Sequence, residues 1–189
     1  DLFNQQLNHQ QQLGLQFHQD LKQRIPRSEI DTISKYLFEP MFDAAKARFA
    51  IAGSYRRGEA TSGDIDMLVE KMSTFTLRDI VNYLEVGGYV LGNLSEGKTK
   101  FMGIIRTPIS PYARRLDIRL ISSEEWPFAL LYFTGSAEFN KSLRQHALNL
   151  GFSLNEYELT RYTGDKLTSE EDVFRVLGLD YVHPHNRSF

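Results

Sequence analysis

Asp64-Ile65-Asp66 places two carboxylates two residues apart in an apolar setting. On a β-strand such residues project from one face with Cα atoms roughly 6.5 Å apart, while Ile65 points the other way into a core. Neighbouring carboxylates repel and give up their protons reluctantly unless a cation sits between them. Mg2+ takes hard oxygen ligands and keeps part of its shell for water or phosphate. A D-x-D on a strand is therefore a natural metal cradle, although the same tripeptide also occurs on strand faces that only meet water. A third acid, Asp117, lies in Arg115-Leu116-Asp117-Ile118-Arg119-Leu120. There the apolar residues face the core, and Asp117 and Arg119 share the opposite face. If the two strands are neighbours, three carboxylates form a site for two metals about 4 Å apart. One metal would acidify an attacking hydroxyl; the other would hold a triphosphate and its leaving oxygen. The alternative is an Asp117–Arg119 surface pair.

Upstream stands Gly53-Ser54-Tyr55-Arg56-Arg57-Gly58, and Thr61-Ser62-Gly63 directly precedes Asp64. Small residues let backbone N–H groups approach phosphate, hydroxyls donate hydrogen bonds, and guanidinium forks match phosphate oxygens. A single Gly-Ser turn means nothing by itself. Its ordered combination with the acids is that of the nucleotidyltransferases.

The elements that must position these residues are an α+β set. Asp1–Gln12, rich in Gln and Asn, is expected to be irregular, and Leu13–Arg24 a short helix. Pro26 suits the first turn of a new helix. Ile30, Ile33, Leu37 and Met41 then follow at helical spacing, with a kink at Pro40. Strands are expected at 48–52, 65–69, 89–94, 99–105 and 115–121. Thr76-Leu77-Arg78-Asp79 is a capping box for a helix ending near Gly87-Gly88. Helices are expected at about 124–133, from the Ser136 cap to Leu150, and from the Thr168–Glu171 box to Gly178. On the middle one, Phe139, Leu143 and Leu150 form the buried stripe, whereas Ala137, Asn140 and Arg144 share another face. The expected architecture is a catalytic domain with a mixed β-sheet and flanking helices, followed by a small helical domain.

The chain has 189 residues, no cysteine, 41% hydrophobic and 24% charged residues and a formal net charge of −2. Disulfides, thiolate zinc and cysteine nucleophiles are excluded. No apolar run reaches the roughly 18–20 residues of a membrane span. The acidic balance means that any polyanion site must be a local basic cluster.

Taken together, these motifs resemble the family X DNA polymerases, closest to the polymerase beta branch with the lambda-like Ala137. The likeness covers nearly the whole chain. It includes Arg24-Ile25-Pro26-Arg27, Gly53 to Gly58, Ser62 to Asp66, Lys100-Phe101-Met102-Gly103, Arg114 to Leu120, Leu131 to Ser136, Phe139-Asn140-Lys141, Arg144, Asn155-Glu156-Tyr157 and Tyr181. It implies a palm at 24–123 and a nascent-base-pair-binding domain at 124–189, with 1–23 left from a duplex-binding helical segment. It also implies transfer of a nucleotide from a dNTP to the primer 3′-hydroxyl of gapped or primed DNA, with two Mg2+ ions for which Mn2+ can substitute.

On this resemblance Asp64, Asp66 and Asp117 are catalytic and hold the metals. Arg24, Gly53, Ser54, Arg57, Ser62 and Gly63 hold the triphosphate; Tyr132, Phe133, Gly135 and Asn140 meet the sugar and base. Arg115, Arg119, Lys141, Arg144 and Tyr157 meet DNA. It further implies a nuclear monomer working in short-gap repair with repair-complex proteins and no membrane. The family's lyase domain and helix-hairpin-helix are expected to lie outside this chain, so lyase activity is not carried over. Alternatives are a template-independent terminal transferase, which resembles Gly-Trp where this chain has Tyr132-Phe133, a small-substrate nucleotidyltransferase, and a non-catalytic DNA-binding remnant. The three intact acids argue against the last.

Overall fold

A computed structural model describes residues 7–189. Residues 1–6 of the stretch expected to be irregular lie outside the described residues. The rest of that stretch departs from expectation. Asn8 caps a helix over His9–Gln16 in a reciprocal box with Gln11, so capping overrides the weak periodicity. A separate turn, His18–Leu21, follows in place of one helix to Arg24.

β1 (Ile25–Pro26) leads into the helix Arg27–Ile33, which continues through a π-helical turn, Ser34–Phe38, into Glu39–Ala45. Pro40 lacks an N–H for the preceding turn, and the widened turn before it takes the place of a sharp kink. Ile30, Ile33, Leu37 and Met41 are all buried.

β2 (Phe49–Ile51), a single helical turn Gly53–Arg56, β3 (Thr61–Ser62) and β4 (Ile65–Glu70) come next. The boxed helix Leu77–Val86 crosses to β5 (Val90–Glu96), β6 (Lys100–Ile105) and β7 (Arg114–Ile121). The central sheet has the order β2-β4-β7-β6-β5, with β4 and β7 parallel and the other neighbours antiparallel. β1 and β3 form a separate two-stranded ladder beside it.

Strand alternation divides the sheet's two faces. Ile65, Met67 and Val69 join Phe38, Phe42, Leu84, Phe101 and Ile118 in the main core. Leu68 faces the other way, with Ile121, Trp126 and Ala129. The helix Trp126–Thr134 is apolar nearly all round because it serves two cores. Trp126 and Ala129 meet the sheet, while Phe128 and Leu131 join Phe139, Leu143, Ala147 and Phe174 in a helical core.

Ser136 caps the helix Ala137–Asn149, and Gly151 follows it with φ +86°. Leu150 lies beyond the last turn and is 48% exposed; Ala147 takes its expected place in the buried stripe, one turn after Leu143. β8 (Ser153–Leu154) and β9 (Leu159–Thr160) form a short hairpin. The last α-helix, Glu170–Val176, is capped by Ser169, one residue later than the expected box, with Asp172 bonding back to the Thr168 N–H. A 3-10 turn at Pro184–Asn186 precedes a segment that runs back toward the sheet.

Candidate active site

The parallel register of β4 and β7 sets Asp66 opposite Asp117 and Ile65 opposite Leu116. The acids thus stand on the sheet face that carries Leu68, beyond the area covered by the Trp126–Thr134 helix. Asp64 lies just ahead of β4 and is exposed, Asp66 is half-buried, and Asp117 is 8% exposed. Arg115, Asp117 and Arg119 share a face by alternation, so the acids meet arginines from their own strand pair. Arg119 donates to Asp66 at 2.5 Å and Arg115 to Asp117 at 2.8 Å. The Asp117–Arg119 pair considered from sequence is replaced by these two. Arg119 also lies 4.3 Å from the centre of the Phe133 ring, which meets Tyr132 edge-on.

Burial pushes the Asp66 carboxyl up to about 6; the Arg119 charge opposes this, and the Asp64 and Asp117 charges reinforce it. Asp64 is also raised, first by desolvation and then by the Asp117 carboxylate. Among the described residues no three His, Cys, Asp or Glu side chains are gathered into a ready cation cage. The donor chemistry nevertheless fits a hard divalent cation. Three carboxylates crowd one face, two are pushed toward protonation by desolvation and mutual charge, and arginines supply the compensation. The Nε of Arg115 is buried without a hydrogen-bond partner among the described residues.

The small-residue turn lies next to the acids. Gly53 takes φ +62°, and a Cβ there would come 3.9 Å from Cβ of Asp66. Ser54 donates to the Ser62 hydroxyl at 2.8 Å, tying the two small-residue motifs together. Arg24 reaches the same place across the β1–β3 ladder, donating to the Thr61 hydroxyl and carbonyl at 3.2 and 3.3 Å. A Cβ at Gly63 would fall 3.3 Å from Arg24 Nη1.

Arg57 is turned toward the helical half, donating from Nη1 to the Thr134 carbonyl at 2.6 Å. Gly135 has φ +65°, and a Cβ on it would come 3.2 Å from the same nitrogen. Asn140 donates to the Tyr132 carbonyl at 2.8 Å. Tyr132, Phe133, Arg119 and Tyr157 line an open cleft of about 520 Å³ together with Lys71 and Lys100. Arg144 lines a small separate pocket with Asn140 and Leu143. Lys141 and Tyr157 are exposed.

The structure therefore brings Asp64, Asp66, Asp117, Arg115 and Arg119 into one cluster, and Arg24, Gly53, Ser54, Ser62 and Gly63 into the turn beside it. Arg57 and Asn140 instead make contacts within the protein. Sequence reasoning missed Glu170, which receives Arg56 at 2.7 and 3.0 Å and Arg187 at 2.8 Å. It also missed Ser188 and Glu59, which hold Arg57. Glu170 reads as a helix-start acid, and nothing in the sequence announces a partner 114 positions away.

Residues 24–123 match the family model described as DNA polymerase beta palm, and residues 129–188 match that described as DNA polymerase beta thumb. The chain is 32% identical to DNA polymerase lambda of Rattus norvegicus, an alignment spanning 97% of this chain and 36% of that protein. It is 29% identical to DNA polymerase lambda of Arabidopsis thaliana, over 100% and 41% respectively. It is 30% identical to the DNA-directed DNA/RNA polymerase mu of Homo sapiens, over 97% and 45%. The chain thus spans less than half the length of these relatives.

Proposed function

This chain belongs to the family X DNA polymerases, and from that premise we propose that it adds a nucleotide from a dNTP to a primer 3′-hydroxyl on gapped or primed DNA. The observation that carries the proposal is the in-register pairing of Asp66 with Asp117, with Asp64 and the Ser54–Ser62 turn alongside.

Asp64 and Asp66 would hold both divalent ions, and Asp117 the one nearer the primer. When bound, Mg2+, or Mn2+ in its place, supplies acidification of the attacking hydroxyl and neutralises the triphosphate. The chain's own groups do the rest. Asp117 would orient the primer hydroxyl and help take its proton as the oxygen attacks the α-phosphorus and pyrophosphate departs. Ser54, Ser62 and Arg24, with the N–H groups around Gly53 and Gly63, present donors to phosphate oxygens. Arg115, which pairs with Asp117 through Nη2, would bring its guanidinium to the primer-end phosphate. Arg119 holds only Oδ1 of Asp66, which leaves Oδ2 for a cation. The Phe133 ring lies against that guanidinium from the helical half.

Tyr132 and Phe133 border the cleft where the sugar of the incoming nucleotide would lie, and on this reading they favour deoxyribose. Lys141, Arg144 and Tyr157 offer contacts to the DNA. Short-gap repair is the fitting setting. Primer extension on a one-nucleotide gap, with and without Mg2+, tests the proposal. Mg2+-dependent, template-matched addition is the expected result. Addition without regard to template would favour a terminal transferase, and no addition a binding remnant.

A further inference from the structure

The segment after the last α-helix returns across the molecule and lies over the Gly53–Gly58 turn. The His185 ring stands against Gly58, where a Cβ would fall 2.5 Å from Cδ2 of the imidazole. The Arg187 carbonyl accepts from the Ser136 N–H at 3.1 Å and from the Ser136 hydroxyl at 2.7 Å. The Arg187 side chain is fully buried on Glu170. These contacts fix the path of the backbone, and so the position of the next residue, Ser188.

Ser188 Oγ accepts from Arg57 Nε at 2.9 Å and donates to Glu59 Oε1 at 3.0 Å. Arg57 also gives Nη1 to the Thr134 carbonyl at 2.6 Å and Nη2 to Glu59 at 3.2 Å. A guanidinium carries five N–H donors, two on each Nη and one on Nε. With three committed among the described residues, one remains on each Nη.

We propose that Ser188, braced by Glu59, is a positioning residue for Arg57, fixing the roll of its guanidinium so that the two remaining N–H groups are presented to a triphosphate. The inference rests on the polymerase reading above, in which Arg57 meets the incoming nucleotide. Arginine is rich in rotamers, and a side chain ordered before its ligand arrives spends less of the binding energy on ordering. Glu59 also balances the guanidinium charge while no phosphate is present. Its carboxyl is held below its ordinary range, first by the Ser188 hydrogen bond and then by Arg57, so the brace is charged at neutral pH. Ser188 itself is exposed, and its hydroxyl can be removed without opening a core.

The test is equilibrium binding of a matched dNTP with Mg2+ to the 189-residue chain on gapped DNA carrying a dideoxy-terminated primer, which blocks addition. Ser188→Ala is expected to weaken nucleotide affinity about tenfold, the scale of a hydrogen bond to a charged group, without changing affinity for the DNA. Ser188→Thr keeps the hydroxyl and is expected to restore most of the loss. In an Arg57→Ala background Ser188→Ala should cost nothing further, because the serine acts through the arginine. An undiminished loss in that background, or no loss in Ser188→Ala alone, overturns the brace. If Arg57→Ala weakens nucleotide binding and Ser188→Ala does not, the brace alone is wrong. If Arg57→Ala changes nothing, the placement of the triphosphate is wrong and the brace goes with it.

Discussion

On the sheet, Asp66 and Asp117 are side by side because β4 and β7 run parallel in register, and the backbone ladder holds them there whatever their charges prefer. In the clasp between sheet and helices, Glu170 is where it is because Arg56 and Arg187 pair with it. The first arrangement tolerates mutual repulsion: two of its three acids are raised above their ordinary values. In the second, burial pushes the Glu170 carboxyl up, but the hydrogen bonds from Arg56 and Arg187 outweigh it and the net shift is downward. Rigid backbone can keep charge in an uncomfortable place ready for a ligand, whereas a side-chain network keeps only what satisfies itself.

Breaking each region should therefore fail differently. The largest effect is expected from Asp117→Ala, which should lower turnover by about 10²–10³, the scale of one lost transition-state electrostatic group. Nucleotide affinity should survive better, since Asp64 and Asp66 remain. The measurement is single-turnover extension at saturating dNTP beside a thermal melt, and a normal rate would remove Asp117 from the chemistry. Because the ladder places the residue, the fold should be little affected.

Glu170→Gln should do the reverse. It leaves two arginines facing a neutral amide, one of them fully buried, and is expected to cost about 3–5 kcal/mol of stability at pH 7. The pH dependence sharpens the contrast. A depressed carboxyl contributes stability that is present above its ordinary value of 4.5 and is lost as pH falls through the lower folded value. The wild-type chain should thus lose stability across that acid window, and Glu170→Gln should lack that share of the loss. Denaturant melts from pH 7 downward would show it; parallel curves would contradict it.

Arg57 belongs to both regions, and Arg57→Lys should raise the dNTP KM while DNA affinity stays nearly constant. A fork lost from phosphate is worth about 1.5–3 kcal/mol. An unchanged KM would place Arg57 in the clasp alone.

The smallest effect concerns the far side of the gap. On the polymerase reading Arg57 and Arg115 serve the triphosphate and the primer-end phosphate, and Arg56 is held by Glu170, so a 5′-phosphate in the gap should strengthen DNA binding by less than about threefold, with little change in salt slope. A tenfold gain would reveal a cation pocket in a part of the chain to which neither region extends.

The two regions also differ in how far the sequence disclosed them. Alternation is a local property, so Asp64, Asp66 and Asp117 could be assigned to one face from their neighbours, and the cap at Thr76 could be read from four residues. Leu150 misled because helical spacing continued on paper past the turn where the helix stops. The π-helical turn before Pro40 answers a backbone conflict that periodicity does not encode. The clasp joins side chains brought together only by the whole fold, and Glu170, Arg187 and Ser188 each have an ordinary local explanation.

The parallel pairing of β4 with β7 has a consequence in time as well as in space. β5, β6 and β7 are successive antiparallel neighbours that can zip locally. Parallel partners cannot be joined by a hairpin, and β4 can meet β7 only after the Leu77–Val86 helix and two strands have been accommodated between them. Closing that loop costs chain entropy before the ladder returns any stability, so non-local pairing of this kind is slow. Asp117 is therefore expected to meet Asp64 and Asp66 as one of the later events of folding. A nascent chain can carry the completed meander while its acids are still apart, and nucleotide binding during refolding should lag behind the recovery of β-structure.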